Sequence, residues 1–143
     1  MRIVLDTNIL VRANVRAQGP ARELLLRIAY GKHTLITSAF LLREVEGAVA
    51  YPRLRRLWRL TSQDVREHVQ FLVDISELVE PVIGAPVVRA DPNDDPVVYA
   101  AISGKADVLC TLDRDLFEPG VLTLCQSQGI SVLSDVELLH RLL

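Results

Sequence analysis

The sequence has few of the side chains that bind zinc or form disulfides. It contains two cysteines, Cys110 and Cys125, and three histidines, and none of these residues has the spacing of a zinc or redox motif. We therefore expect the cysteines to be free thiols and His33, His68 and His140 to be ordinary residues. A zinc centre or a disulfide framework is excluded as the basis of function.

Long apolar runs and a secretory leader are also missing. The apolar segments are too short for a transmembrane helix, and the N-terminus lacks the apolar stretch and cleavage site of a signal peptide. The formal net charge of −2 argues against a protein that coats nucleic acid electrostatically. With 143 residues, half of them hydrophobic, the chain is expected to form one cytoplasmic domain over residues 1–143.

Predicted strands and helices alternate along the chain. Strands are expected at residues 3–5, 34–38, 107–112 and 129–134, where short apolar segments rich in β-branched residues end in polar ones. Helices are expected after Pro20, Ser38, Thr61 and Asp95, and at the C-terminus. The segments LVEPVIG and VLTLCQSQ carry no clear signal. The alternation predicts an α/β protein, a three-layer α/β/α fold with a central parallel sheet.

Acidic residues stand where these strands end. Asp6 directly follows the first strand, and Asp113 ends the strand at 107–112, with Asp115 two residues further on. Asp94 and Asp95 open the helix that leads into that strand. Ligands of parallel sheets bind beyond the carboxyl ends of the strands, so these acids are expected at one edge. An ionised carboxylate at the tip of an apolar strand is costly unless it is paired or bound to a metal.

Glu44, which borders the buried face of the helix after Ser38, adds a further segment to this set. Taken singly, the acids have ordinary alternatives: Asp94 and Asp95 suit a turn or helix cap, Asp115 a helix-start cap, and Glu44 a solvated position. Together they would repel one another, and a divalent cation relieves that repulsion. Oxygen ligands favour Mg²⁺ or Mn²⁺, and phosphoryl transfer is the common chemistry of such sites.

Four segments, in chain order, resemble the motifs of PIN-domain proteins: IVLDTNIL, SAFLLREVE, RADPNDDPVVYAAISGKAD and VLCTLDRDLF. The resemblance extends over nearly the whole chain and is closest to PIN-domain toxins related to VapC-like ribonucleases. It implies an endoribonuclease that uses Mg²⁺ or Mn²⁺ to hydrolyse RNA phosphodiesters. It also implies the toxin role in a toxin–antitoxin pair, with an antitoxin protein as partner and a homodimer as the typical assembly.

The resemblance also implies roles for individual residues. The catalytic carboxylates would be Asp6, Glu44, Asp94 and Asp113, and the metal ligands Asp6, Asp94, Asp95 and Asp113. Alignment of the third motif from DP through GKAD puts its ligand at Asp94, which we favour, whereas its spacing to the fourth motif favours Asp95, which we keep in the site. Residues that shape the pocket or stand behind the ligands would be Asn8, Ser38, Thr111 and Asp115. Pro96 and Tyr99 depart from the family pattern in the third motif.

A basic segment, YPRLRRLWRL, offers a surface for RNA. Its arginines are Arg53, Arg55, Arg56 and Arg59, which are suited to the RNA backbone, and Trp58 is available to stack a base. The alternative is an amphipathic helix whose apolar residues pack on the core while its arginines are solvated.

Two other function classes are alternatives to the nuclease. A phosphotransfer protein of the haloacid-dehalogenase kind requires Asp-x-Asp-x-Thr after the first strand, where this chain has Asp6-Thr7-Asn8. A receiver domain requires a lysine late in a strand, and Lys32 and Lys105, the only lysines, do not fit. A PIN fold that binds RNA or protein without cleaving it is the remaining alternative, and metal binding would discriminate it from the enzyme.

Overall fold

The computed structural model describes residues 1–143 and has a five-stranded, all-parallel sheet at its centre. The strands are β1 (Arg2–Leu5), β2 (Thr34–Thr37), β3 (Ser76–Leu78), β4 (Val108–Cys110) and β5 (Ser131–Leu133), in the spatial order β3-β2-β1-β4-β5. The central strand pairs Val4 with Ile36 on one side and with Leu109 on the other. The predicted parallel sheet is confirmed.

Eight helices cover the two faces of the sheet. They are α1 (Thr7–Arg12), α2 (Pro20–Tyr30), α3 (Ala39–Val49), α4 (Pro52–Trp58), α5 (Ser62–Ile75), α6 (Asp95–Ser103), α7 (Pro119–Ser127) and α8 (Asp135–Leu142). Two 3₁₀ turns, Pro92–Asp94 and Arg114–Phe117, precede α6 and α7. None of the helices combines the length and the apolarity that a membrane crossing needs.

Alternate residues of β1 face two separate cores. Ile3 and Leu5 pack into the larger core with α1, α2, α3, α5 and α8, whereas Val4 packs into a second core built largely by α6 and α7. This is the twofold side-chain alternation of a strand that is buried on both faces. The three-layer α/β/α architecture is thereby confirmed.

Several local signals act as the sequence predicts. The Ser38 hydroxyl accepts a hydrogen bond from the Leu41 amide at the start of α3, and Thr61 and Asp64 form a reciprocal capping box on α5. Residues 119–127, within which most of the unassigned segment VLTLCQSQ falls, form α7 because Val121 and Cys125, four residues apart, are both buried. The other unassigned segment, LVEPVIG, contributes only its first residue to β3.

Because all five strands are parallel, their carboxyl ends meet at one edge of the sheet. Asp6 follows β1, Ser38 follows β2, Thr111 follows β4 and Ser134 follows β5. We call this the carboxyl edge, and it is where the candidate site lies.

Candidate active site

Asp6 is a buried carboxylate at the junction of β1 and α1, with a side chain held at both oxygens. Its Oδ1 accepts from the Thr7 amide (2.8 Å) and its Oδ2 accepts from the Thr111 hydroxyl (2.6 Å). Burial raises the pKa of Asp6, while the hydrogen bonds from Thr111 and Thr7 lower it and the nearby charge of Asp113 raises it further. The sequence placed an acid at the tip of an apolar strand, and the structure fixes its orientation with two donors.

Thr111 connects the first and fourth motifs. Its hydroxyl donates to Asp6 Oδ2 and accepts from the backbone amide of Asp113 at 3.0 Å. The side chain is fully buried, so these two hydrogen bonds are shielded from water. Thr111 therefore sets the distance between the Asp6 and Asp113 segments.

Three carboxylates converge at the carboxyl edge. Asp94, Asp113 and Asp115 each offer an oxygen, and these oxygens lie within 4.8 Å of one another. Asp113 also accepts from the Asp115 amide (3.0 Å) and so caps the turn Arg114–Phe117, a role that the sequence suggested for Asp115. Oδ2 of Asp94 is buried and has no hydrogen-bond partner. Burial and the adjoining Asp113 raise the pKa of Asp94 to about 7.

Glu44 reaches the same cavity from α3. Its Oε1 accepts a 3.3 Å hydrogen bond from the Thr7 hydroxyl, a partner that sequence reasoning missed. Partial burial raises the pKa of Glu44, and the charges of Asp6 and Asp91 add to that effect while the Thr7 hydrogen bond opposes it. Among the acids of the cavity, Glu44 has the most solvent-exposed residue surface.

Asn8 and Ser38 occupy different surroundings. Asn8 lines the cavity, and its Oδ1 is buried without a hydrogen-bond partner. Such an atom is costly unless a ligand or water satisfies it. Ser38 is buried under α3, where its hydroxyl caps the helix that carries Glu44. Its structural contribution to the site is the position of α3.

The two candidate ligands of the third motif are separated by the fold. Asp94 lines the cavity, whereas Asp95 is buried elsewhere and is absent from the cavity lining. Oδ1 of Asp95 accepts from the backbone amides of Val87 (3.2 Å) and Val88 (2.8 Å). Asp95 therefore fastens the segment before the third motif to α6, and this geometry favours Asp94 as the ligand.

Two further acids belong to this edge and were missed in the sequence. Asp135 begins α8 two residues after β5, is 8% exposed and lines the cavity, and its Oδ1 accepts from the Val136 amide. Asp91 caps the turn Pro92–Asp94, and its charge raises the pKa of Glu44 and Asp94. The rule that identified Asp6, an acid just after a strand, would also have found Asp135.

The cavity has a volume of about 680 Å³ and is lined by two chemically different sets of residues. The first set contains the carboxylates together with polar residues such as Arg12 and Gln18. On α1 and α3 the apolar lining residues lie about one turn further along than Asn8 and Glu44, and we call the surface that all the apolar lining residues form the apolar side. It consists of Val11, Ala17, Pro20, Ala21, Ala48, Leu54, Leu57 and Trp58. A pocket of this size accommodates a small organic group in addition to an ion.

The predicted RNA-binding arginines lie on or beside α4, outside the cavity lining. Arg53, Arg56 and Arg59 are exposed. Arg55 is half-buried, and its guanidinium donates to the Leu60 carbonyl (3.4 Å) and the Ser62 hydroxyl (3.0 Å), which ties α4 to α5. The segment is therefore amphipathic, because Leu54 and Trp58 pack against the core while three arginines face solvent, and RNA binding by these arginines stays a prediction.

The fold and the cavity together define an α/β protein with a carboxylate-lined pocket at the carboxyl edge of a parallel sheet. A model of the PIN domain family matches residues 2–115, and the chain belongs to that family. No curated protein matches it in sequence.

A solved structure agrees with this fold. The chain is similar to one in the crystal structure of VapBC2 from Rickettsia felis bound to a DNA fragment from their promoter. The TM-score is 0.58 at 17% identity, and the match covers 92% of this chain and 98% of the other. At that identity the likeness shows a shared fold.

Proposed function

We propose that this PIN-domain protein is a divalent-metal-dependent endoribonuclease that hydrolyses RNA phosphodiester bonds in the cytoplasm. The observation that carries the proposal is the convergence of Asp94, Asp113 and Asp115 within 4.8 Å in the company of Asp6 and Glu44. Carboxylates crowded in this way are stable together when a cation neutralises them.

The donor set fits Mg²⁺ or Mn²⁺. All candidate ligands are oxygens, which these ions prefer, and the buried Oδ2 of Asp94 lacks any other partner. Asp94, Asp113 and Asp6 would hold the ion, with Asp115 beside them. When bound, the ion supplies charge neutralisation for the phosphodiester and lowers the pKa of an attacking water.

The protein groups orient the reactants around that ion. Thr111 and Thr7 fix Asp6, and the Asp115 amide fixes Asp113, so two carboxylates are held in place before substrate arrives. Glu44 accepts from Thr7 at Oε1 only, which leaves Oε2 to take the proton of the attacking water. The exposed arginines of α4 would draw the RNA backbone toward the cavity.

The toxin role in a toxin–antitoxin pair is part of the same proposal. Its support is the likeness to a chain of VapBC2 bound to promoter DNA, together with the ordered PIN motifs. An antitoxin protein and a second copy of this chain are the partners that this role implies. The test is whether a small gene for a DNA-binding protein adjoins this one and whether its product co-purifies with this chain on co-expression, and the absence of such a gene or of co-purification would contradict the toxin assignment.

Cleavage of end-labelled single-stranded RNA tests the nuclease. We expect cutting in Mn²⁺ or Mg²⁺, none in EDTA, and a loss on the order of 100-fold with Asp94→Asn. Asp95→Asn should retain cleavage because its side chain faces the backbone of residues 87 and 88. Asp74→Asn, an exposed acid on α5, is the matched control.

Cleavage that survives both EDTA and Asp94→Asn would contradict the proposed mechanism. The absence of cleavage together with the absence of metal binding in calorimetry would instead indicate a PIN fold that binds RNA or protein without cutting it.

A further inference from the structure

About half of the residues that line the cavity are apolar and have no role in binding a metal ion. The apolar side, to which α4 contributes Leu54, Leu57 and Trp58, is continuous with the carboxylate side in one space of about 680 Å³. A hydrated ion and a phosphate group are bound by polar groups, so leucine and tryptophan side chains do not contribute to binding them. An apolar wall next to an ion site suits a ligand with one charged and one flat, apolar part.

Helix α4, which contributes the largest side chains of this wall, has a surface suited to a polyanion. No residue of α4 is fully buried, and Leu57 is 68% exposed, so its apolar surface is not consumed by the core. The same helix and its C-terminal cap carry Arg53, Arg56 and Arg59 on the surface and no acidic residue. Apolar and aromatic surface combined with arginines is the pattern with which proteins bind single-stranded nucleic acid.

We propose that the apolar side of the cavity is a nucleobase subsite, in which a base of single-stranded RNA packs against Trp58 and Leu57. The phosphodiester next to that base then lies at the carboxylates. The inference rests on the proposed function in taking RNA as the ligand, but it does not require that the RNA be cut.

The subsite selects unpaired RNA. A base in a duplex has its faces covered by its neighbours and cannot reach a tryptophan inside a cavity, so pairing and stacking must first be broken. The carboxylates alone, through an ion, would accept any phosphodiester. The preference for single strands therefore originates on the α4 side of the cavity.

Trp58 is the only tryptophan in the chain, so tryptophan fluorescence reports on the surroundings of this one side chain. We would titrate the protein with three ligands: a short single-stranded RNA, the same strand carrying abasic positions, and the duplex. Ca²⁺ replaces Mn²⁺ or Mg²⁺ in these titrations so that binding is measured without cleavage. Gels run afterwards verify that the RNA is intact. We expect saturable quenching by the intact strand and about tenfold weaker binding of the abasic strand and the duplex.

Two substitutions separate the subsite from folding. Leu57→Ser should weaken single-strand binding several-fold in an anisotropy assay with labelled RNA, whereas Tyr51→Ser should not. Both side chains are 68% exposed and both belong to the α4 segment, but only Leu57 lines the cavity. Trp58→Phe should retain most of the affinity and Trp58→Leu should lose it, with melting temperatures measured alongside because Trp58 touches the core.

Equal affinity for intact and abasic strands, or equal effects of Leu57→Ser and Tyr51→Ser, would overturn the subsite and leave the apolar wall to a protein partner. Cleavage measured in Mn²⁺ on the same preparations keeps the two proposals apart. Cutting without base dependence refutes only the subsite, whereas base-dependent binding without cutting refutes only the nuclease.

Discussion

The carboxyl edge of the sheet and the opposite, amino edge, where the strands begin, differ in how their charged side chains are paired. At the amino edge the Arg2 guanidinium donates to the Gly104 carbonyl (3.0 and 2.8 Å) and pairs with Glu77 (2.8 Å), and the Arg2 amide donates to Asp107. At the carboxyl edge, carboxylates face one another and Asp94 Oδ2 has no partner. The amino edge pairs its charged groups within the protein, whereas at the carboxyl edge carboxylates face one another without a basic partner, which is a pattern typical of functional sites.

The comparison predicts that substitutions at the two edges have opposite effects. Asp113→Asn should lower RNA cleavage on the order of 100-fold and weaken Mn²⁺ binding, because a ligand oxygen is lost. In EDTA the same substitution should raise the melting temperature, because it removes repulsion from Asp94 while asparagine keeps the cap. A lower melting temperature in EDTA would contradict a repulsive edge; Asp74→Asn is again the control.

Gly104→Ala tests the amino edge. A Cβ at this position would lie 2.7 Å from Cγ2 of Ile36 and 3.0 Å from the Ala100 carbonyl oxygen, so the end of α6 must shift. We expect a loss of about 1–3 kcal/mol in the free energy of unfolding, measured in urea, with cleavage per folded molecule unchanged. Gly47→Ala, where a Cβ meets nothing within 4 Å, is the matched control. An equal loss of stability in both variants would show that packing at Gly104 is not the cause.

His68 connects the carboxyl edge to the body of the protein and should make stability depend on pH. It is buried in α5, and its Nε2 donates to the Leu10 carbonyl of α1 at 2.9 Å. Burial lowers the pKa of His68 below 6.5, with the Leu10 hydrogen bond opposing and Arg22 assisting the shift. The unfolded chain therefore binds this proton more readily, so His68 by itself should lower stability as pH decreases below about 6.5, whereas the raised pKa of Asp94 acts in the opposite direction.

The measurement is urea unfolding between pH 8 and pH 5. His68→Gln, whose amide can still donate to Leu10, should be more stable relative to the wild type at pH 5 than at pH 8, whereas His140→Gln on the exposed side of α8 should show no such pH-dependent difference. An unchanged slope in His68→Gln would assign the effect to other groups. This is the smallest of the expected changes.

The sequence predicted those parts of the molecule that local signals determine. A buried apolar segment that ends in an acid predicts both a strand and its ligand edge, and Asp6 and Asp113 lie at that edge as expected. Asp94 and Asp95 could not be separated from the sequence, because adjacent residues at a helix start point about 100° apart and nothing local fixes the direction. The Asp95 side chain is held by the amides of Val87 and Val88, and these belong to an irregular segment that the sequence does not predict.

Other features depend on tertiary packing. The apolar wall of the cavity combines residues of α1, α2, α3 and α4, and no single segment shows that Trp58 would share a space with Asp94. Helix α7 was missed because its sequence, VLTLCQSQ, is as suitable for a strand as for a helix until Val121 and Cys125 are known to face the same core.

The Thr111 hydroxyl has one further consequence, which concerns where a proton resides. Because this oxygen accepts from the Asp113 amide, its own hydrogen is committed to Asp6 Oδ2, and the Thr7 amide occupies Oδ1. Protonation of Asp6 would weaken one of these hydrogen bonds, whereas Asp94 Oδ2 has none to lose. Hydrogen-bond polarity therefore favours Asp94 over Asp6 as the carboxylate that takes up a proton.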